Sequence, residues 1–330
     1  QLFNSSAPVN TWIFIASGVP DFTFGISSAY IWDAVTVNDG AKNVFVSTLF
    51  NPVYKTPFNV CEESARSIEI FSRELPGIPF PYDKITLFNG SGGMESPMMV
   101  NMEWINDHSW AIYTYVHEIA HTFFPFYMGI NERKYAWMDE GWAQMLSEYP
   151  EYMLDSAIDF RSWNVQRYLR NAGMLDDAPI MTASYNLDEN AYDHVSYFKA
   201  CEAYKALREL LDSRNPGLFK QALQEYMSRW NGKHPSPYDF FFTFDDVSGE
   251  DLGWFWRPWF FEQGAADLAV DSVYNEGNKY HILVDNDGSV PVPVVITLWA
   301  HENLGAEFTF PVDIWKDGKD SEWFTCESEY

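Results

Sequence analysis

Three residues with the chemistry of metal ligands stand close together in the middle of the chain. His117 and His121 are four apart in His117-Glu118-Ile119-Ala120-His121, so on a helix both imidazoles lie on one face and reach a single ion. Glu140 follows after residues 122–139. Two histidines and one glutamate form the protein part of a catalytic zinc site, with the fourth position left for water. Zinc lowers the pKa of that water to roughly 7, so hydroxide forms at neutral pH.

Glu118 occupies a neighbouring sector of the same helix face, beside the metal and not bound to it. There its carboxylate can accept a proton from the water and pass it to a leaving amine. The five-residue motif alone is also compatible with a core helix that holds two hydrogen-bonded histidines. The third ligand opens a predicted helix and stands between Trp137 and Gly141, which favours a zinc hydrolase.

The composition restricts the partners of the protein. With 330 residues the chain can form two or three domains, and its 18% aromatic content is compatible with aromatic cores and with aromatic grooves. The net charge of −26 disfavours nucleic acid and anionic membranes and favours cationic groups such as a peptide amine, although solubility also explains it. No run of about 18 apolar residues is present, so no transmembrane segment is expected.

The cysteines and the first residue bear on the compartment. Cys61, Cys201 and Cys326 are too few and too scattered for a disulfide framework, and we predict buried thiols. The chain begins at Gln1 without Met and shows no signal peptide, which indicates a processed mature form or an excised piece. A periplasmic or extracellular location is favoured over a cytoplasmic one.

The periodicity of apolar residues predicts strands first, then helices, then strands again. We expect strands at 11–16, 21–27, 44–49 and 84–88, with a helix at 62–75. Further helices are predicted at 107–127, 138–149, 160–172, 194–213, 217–230, 238–244 and 252–262, and Pro125 should disturb the first of them. Period-two alternation after Gly264 predicts a small antiparallel sandwich with strands at 268–274, 279–284, 290–300, 307–312 and 321–326.

A glycine-rich stretch precedes the predicted metal helix and ends in Gly92-Gly93-Met94-Glu95. Glycines allow the backbone to approach a ligand closely, although a glycine turn before an edge strand is the more common use of such a stretch.

Together these motifs resemble the gluzincin metallo-aminopeptidases of the membrane alanyl aminopeptidase and leukotriene hydrolase type, over nearly all of the chain. The glycine stretch resembles the family's G-x-M-E-N motif, and the two histidines with Glu140 match its zinc signature. Residues 131–141 are similar to a bacterial branch, and Tyr197-Phe198-Lys199 resembles the Y-x-K-G motif, with Tyr192 five residues upstream. The chain departs from the family at Ser96, where the motif has Asn, and at Ala200, where it has Gly.

The resemblance implies an α+β fold. Its main part would be a thermolysin-like zinc peptidase domain, with a mixed-sheet lobe and a helical lobe, followed by the small antiparallel β-sandwich. We assign residues 1–20 to the exit strand of a missing N-terminal saddle domain, 21–264 to the catalytic domain and 265–330 to the sandwich.

The resemblance also implies a zinc-dependent aminopeptidase with one Zn2+ per chain and a peptide with a free N-terminus as substrate. Glu118 would be the base, Tyr197 would donate a hydrogen bond to the developing oxyanion, and Glu95 would bind the α-amine. The remaining substrate-binding residues would be Gly92, Gly93, Met94 and Tyr192. A peptide-binding or weakly active zinc-fold module, and a zinc endopeptidase or epoxide hydrolase on the same scaffold, remain alternatives. The preferred first side chain stays open.

Overall fold

A four-stranded sheet forms the first lobe of the protein. The computed structural model describes residues 11–53, 59–301 and 304–328. The strands β1 (Ile31–Asn38), β2 (Asn43–Phe50), β3 (Lys84–Asn89) and β4 (Met99–Met102) follow one another in this order across the sheet. The β1–β2 pair is antiparallel and the other two pairs are parallel. The strands predicted at 44–49 and 84–88 are therefore confirmed, within one residue at each end.

Helix α1 (Val60–Arg73) makes the crossover that the parallel pair β2–β3 requires. Its Ala65, Ile68 and Phe71 recur at helical spacing and are buried against the sheet, as the sequence predicts. The helix nevertheless ends at Arg73, two residues before the predicted end.

The strands predicted at 11–16 and 21–27 are wrong, because residues 11–30 contain neither strand nor helix in the structure. Trp12, Ile13, Phe14 and Ile15 are each more than half exposed. An apolar run becomes a strand only where a neighbouring strand receives its backbone hydrogen bonds, and this run has none among the described residues. Residues 1–10 lie outside the described part, so the assignment of 1–20 to a further domain stays a prediction.

Helix α2 (His108–Ala120) carries the two histidines. Asp107 caps it, since its side chain accepts a hydrogen bond from the backbone N–H of Trp110 at 3.1 Å. A π-helical segment, Thr122–Tyr127, follows, and Phe124 inside it leaves the helical region with φ −133° and ψ 114°. Pro125 is the cause, because proline pushes the residue before it into extended conformation, and the predicted disturbance is confirmed.

The second lobe is helical and has an aromatic core. Helix α3 (Glu140–Leu154) packs on α2 and begins with the third predicted ligand. It is followed by α4 (Phe160–Leu169), α5 (Glu189–Tyr192), α6 (Ala200–Arg214), α7 (Leu218–Trp230), α8 (Pro237–Ser248) and α9 (Gly253–Trp256). Between α5 and α6 the chain makes a second π-helical segment, Asp193–Lys199. Trp142 stacks on Tyr204 with ring centroids 3.8 Å apart, and both are fully buried, so much of the aromatic content serves packing.

The C-terminal part is a small sandwich with its own core. One antiparallel sheet contains β5 (Leu268–Glu276), β6 (Lys279–Asn286) and β9 (Ser321–Glu327), and the other contains β7 (Val294–His301) and β8 (Leu304–Phe310). Ile282, Val284, Val294 and Phe324 meet between the sheets. The predicted α+β class is confirmed. All three cysteines are buried free thiols, and no described helix is both long and apolar enough to cross a bilayer.

Candidate zinc site

Three donor atoms converge where α2 meets the start of α3. His117 Nε2 lies 3.1 Å from His121 Nε2 and 3.1 Å from Glu140 Oε2, and His121 Nε2 lies 3.2 Å from the same oxygen. A tetrahedral ion about 2.1 Å from each donor would separate them by roughly 3.4 Å, so this triangle fits Zn2+. All three residues are buried. The structure thus brings together the three ligands that the sequence predicts.

The charges of the site also suit a cation. Burial lowers the pKa of His117, which keeps its imidazole neutral and its lone pair free. Burial tends to raise the pKa of Glu140, but the two histidines outweigh this effect and hold it below its ordinary value. The glutamate is therefore a carboxylate and a competent ligand.

His121 is oriented by partners on its other ring nitrogen. Its Nδ1 lies 2.6 Å from Asp139 Oδ1 and 3.0 Å from the backbone oxygen of Phe124. Burial opposes protonation, yet Asp139 and Glu140 raise the pKa of His121 well above its ordinary value, so a metal ion that binds Nε2 must displace a proton from it. A carboxylate behind a ligand histidine fixes the tautomer that turns Nε2 to the metal. The extended backbone of Phe124, produced by Pro125, is what places that oxygen beside the ring.

Glu118 lies beside the triangle and is buried. Its Oε2 has no hydrogen-bond partner among the described residues. A Cβ added to Gly93 would stand 2.5 Å from Oε1, so any larger residue there would displace the Glu118 carboxylate. Burial raises the pKa of Glu118 to about 8, Glu95 and Glu140 add to the shift, and His121 opposes it. Such a carboxylate has the proton affinity that a general base needs.

The glycine stretch forms a short extended strip next to Glu118. Met94 and Asn101 exchange two backbone hydrogen bonds, at 3.0 and 2.9 Å, which attach the strip to β4. Gly92 has φ +74°, a conformation that favours glycine, and the Met94 side chain is 56% exposed. One carboxylate oxygen of Glu95 lies within 4.8 Å of ligand atoms of both Glu118 and His121. The structure therefore brings Gly93 and Glu95 beside the metal centre, and their role in substrate binding stays a prediction.

The two predicted tyrosines also lie at the site. The hydroxyl of Tyr197 donates to Glu140 Oε1 at 2.6 Å, and its ring lies 6.0 Å from that of His117 at an interplanar angle of 19°. Tyr192 stands 6.2 Å from Tyr197 between ring centroids, and its hydroxyl has no hydrogen-bond partner among the described residues. Burial raises the pKa of both phenols, with Glu140 as the next contributor, so both stay protonated and can donate.

Comparison with known proteins identifies the family. The sequence profile of the Peptidase family M1 domain matches residues 63–259, which are more than half of the chain and include every residue of the site.

This chain belongs to peptidase family M1.

Known members of the M1 family show how far the similarity extends. Aminopeptidase M1-D from Oryza sativa subsp. japonica is 24% identical over 169 residues, which cover 48% of this chain and 18% of the rice protein. The M1 zinc metallopeptidase of Deinococcus radiodurans superimposes with a TM-score of 0.58 at 18% identity, covering 71% of this chain and 52% of that one. A mutant form of that protein, solved with a Tyr-Ser-Ala substrate, gives the same TM-score over 70% and 51%.

The extent of these matches matters for function. The chain spans about half the length of the Deinococcus protein and a smaller share of the rice protein. At 18% identity the structural similarity shows the fold, which is the predicted zinc peptidase fold. Together with the donor triangle, membership of the M1 family makes Zn2+ the cofactor of this site.

Several residues of this M1 site escaped the sequence analysis. Asp139 directly precedes Glu140 and could have been found as a carboxylate next to a ligand. Tyr113 lies one turn before His117 on α2, with nothing in its type to single it out. Burial, and after it the charge of nearby Glu95, raises the pKa of Glu132. Glu132 lies in an irregular loop, so no periodic pattern in the sequence points to it.

Proposed function

We propose that this M1 family chain is a zinc-dependent aminopeptidase that removes N-terminal residues from peptides. The observation that carries the proposal is the position of Glu95, a carboxylate within 4.8 Å of both Glu118 and His121. Among the described residues no lysine or arginine forms an ion pair with Glu95. A free α-amine is a cation at neutral pH, and an unpaired carboxylate beside the reacting centre is a suitable counter-charge for it.

Each group of the chain has a task in this reaction. Zn2+, when bound, polarises the scissile carbonyl and lowers the pKa of a bound water. Glu118 Oε2, which is buried and has no partner, takes the proton from that water and hands it to the leaving amine. The exposed edge of the strip at Gly92 and Gly93 can pair with the peptide backbone as an edge strand does. Glu95 binds the amine and thereby places the first peptide bond at the metal centre.

Two similarities support a peptide substrate. The Deinococcus radiodurans protein takes Tyr-Ser-Ala as a substrate, and the rice relative is named an aminopeptidase. Both descriptions concern proteins longer than this chain. An endopeptidase, an epoxide hydrolase and a peptide-binding module with little activity are the alternatives that the following experiment separates.

The Glu95→Ala variant tests the proposal. A charge-assisted contact to the amine is worth roughly 1.5–3 kcal/mol, so the wild type should prefer an aminoacyl anilide over its N-acetylated form by about ten- to a hundredfold in kcat/KM. The variant should lose that preference. Glu276→Ala, at an exposed position of β5 in the sandwich, is the control and should keep it.

The alternatives give different results in the same assay. Equal cleavage of free and acetylated substrates by the wild type would indicate an endopeptidase. No cleavage of either by zinc-loaded protein would favour the epoxide hydrolase if the protein opens an epoxide substrate, and the binding module if it does not.

The Tyr197→Phe variant separates the roles of the two tyrosines. If Tyr197 donates to the developing oxyanion, loss of its hydroxyl should lower kcat by about a hundredfold, with a smaller change in KM. Its present bond to Glu140 Oε1 shows that the hydroxyl already points into the metal centre. Zinc content is measured in parallel, because loss of metal would mean that the phenol only holds Glu140. A larger loss of kcat in Tyr192→Phe would transfer the role to Tyr192, whose hydroxyl is unpaired among the described residues.

A further inference from the structure

The two ligand histidines are held in different ways. The Nδ1 atom of His121 has two hydrogen-bond partners, Asp139 and the backbone oxygen of Phe124. The Nδ1 atom of His117 is buried and has none among the described residues. A ligand histidine normally donates this second N–H to a partner, and that bond fixes the plane of the ring. Something other than a hydrogen bond must therefore restrain the imidazole of His117.

Two tyrosine rings are in a position to do so, since Tyr197 and Tyr113 lie 6.0 and 6.3 Å from the imidazole between centroids, each with its plane inclined by 19°. Tyr197 also donates to Glu140, whereas Tyr113 stands four residues before His117 on the same face of α2 and has no hydrogen bond to a zinc ligand among the described residues. An imidazole that turned out of its plane would lose this nearly parallel packing. Tyr113 is itself held by other rings, since Phe160, Trp163 and Trp110 lie 4.7, 5.3 and 5.6 Å from it between centroids.

The hydroxyl of Tyr113 is tied to the helix of the third ligand. It donates to Gln144 Oε1 at 3.1 Å, and Gln144 stands one turn after Glu140 on α3. Gln144 donates in turn to Asn164 at 2.9 Å, and Asn164 donates to Glu148 at 2.8 Å. Both side-chain amides are fully buried, so this chain of hydrogen bonds is protected from water.

We propose that Tyr113 is the positioning residue of the zinc ligand His117. Its ring takes the place of the missing hydrogen bond to Nδ1, and its hydroxyl ties that ring to α3. The proposal rests on the zinc site alone and does not depend on which substrate the enzyme cleaves.

Zinc affinity without substrate is the measurement that tests this role. The Tyr113→Leu variant removes the ring and should weaken zinc binding, measured by competition with a chelator, by about 10- to 100-fold. Tyr113→Phe keeps the ring and should stay within about threefold of the wild type, since a hydroxyl remote from the metal contributes less. In the Co2+-substituted protein, the visible absorption bands should change in the leucine variant and persist in the phenylalanine variant.

Phe219→Leu is the matched control. Phe219 is fully buried among other aromatic rings of the helical lobe, and among the described residues its ring contacts neither Tyr113 nor His117. It should lower stability with little effect on zinc affinity. Wild-type zinc affinity in Tyr113→Leu, or an equal loss in Phe219→Leu, would overturn the proposal. If the leucine variant does not fold, Tyr113→Met also removes the ring but has a more flexible side chain that can fill the space, and the same loss of zinc affinity is expected.

Discussion

Replacing Glu118 by glutamine is expected to lower kcat of peptide hydrolysis by about 10²- to 10⁴-fold while zinc stays bound. The amide has nearly the shape of the carboxylate, so it fits the narrow space beside Gly93. It cannot accept the proton of the water. His117, His121 and Glu140 are unchanged, so elemental analysis should still find one zinc per chain. Turnover within a few-fold of the wild type would show that another group is the base.

Glu151→Gln is a matched control for this substitution. Glu151 is a fully buried glutamate of α3, and burial raises its pKa well above the ordinary value, which favours the neutral acid. Exchanging it for an amide of nearly the same shape should therefore leave kcat unchanged. An equal loss of activity in both variants would indicate a general effect of altering buried carboxyl groups.

Replacing Lys199 by methionine is expected to lower the free energy of unfolding by about 3–5 kcal/mol. Lys199 is fully buried, and its Nζ donates to Asp177 Oδ1 at 2.5 Å and to the backbone oxygen of Ala178 at 3.1 Å. Without the lysine, the partners left to the buried carboxylate among the described residues are His194 Nε2 at 3.5 Å and the backbone N–H of Gly173 at 2.7 Å. Urea unfolding of the zinc-loaded protein measures the change.

Two further variants test the origin of that loss. Lys42 pairs with Asp83 at 2.8 Å on the surface, so Lys42→Met should leave the free energy of unfolding close to that of the wild type. The double variant Asp177→Asn, Lys199→Met no longer buries an unpaired charge and should be more stable than Lys199→Met alone. A double variant less stable than the single one would show that the lysine acts through packing.

The stability of this pair also bears on catalysis. Lys199 closes the π-helical segment that carries Tyr197, two residues earlier in the chain. The family resemblance makes Lys199 part of a motif, and in the structure Lys199 forms a buried ion pair with Asp177. Lys199 thus anchors the segment that brings the phenol to Glu140.

The zinc ligands, the place of Glu118 beside them and most elements could be predicted from the sequence, because they depend on local spacing. Histidines four apart share a helix face whatever surrounds the helix, and Pro125 extends Phe124 whatever follows it. The burial of Ala65, Ile68 and Phe71 on one face of α1 follows from the same periodicity. The aminopeptidase function, in contrast, was suggested by resemblance and awaits the Glu95→Ala experiment.

Other features depend on which elements meet in space, and periodicity contains no information about that. Residues 11–30 are irregular although their composition favours strands, because no strand among the described residues pairs with them. Tyr113 is one of 19 tyrosines, and only the packing of α2 against α3 and α4 places its ring beside His117 and its hydroxyl on Gln144. Likewise, the bond from Tyr197 to Glu140 joins residues 57 apart, which requires the helical lobe to have folded around the zinc site.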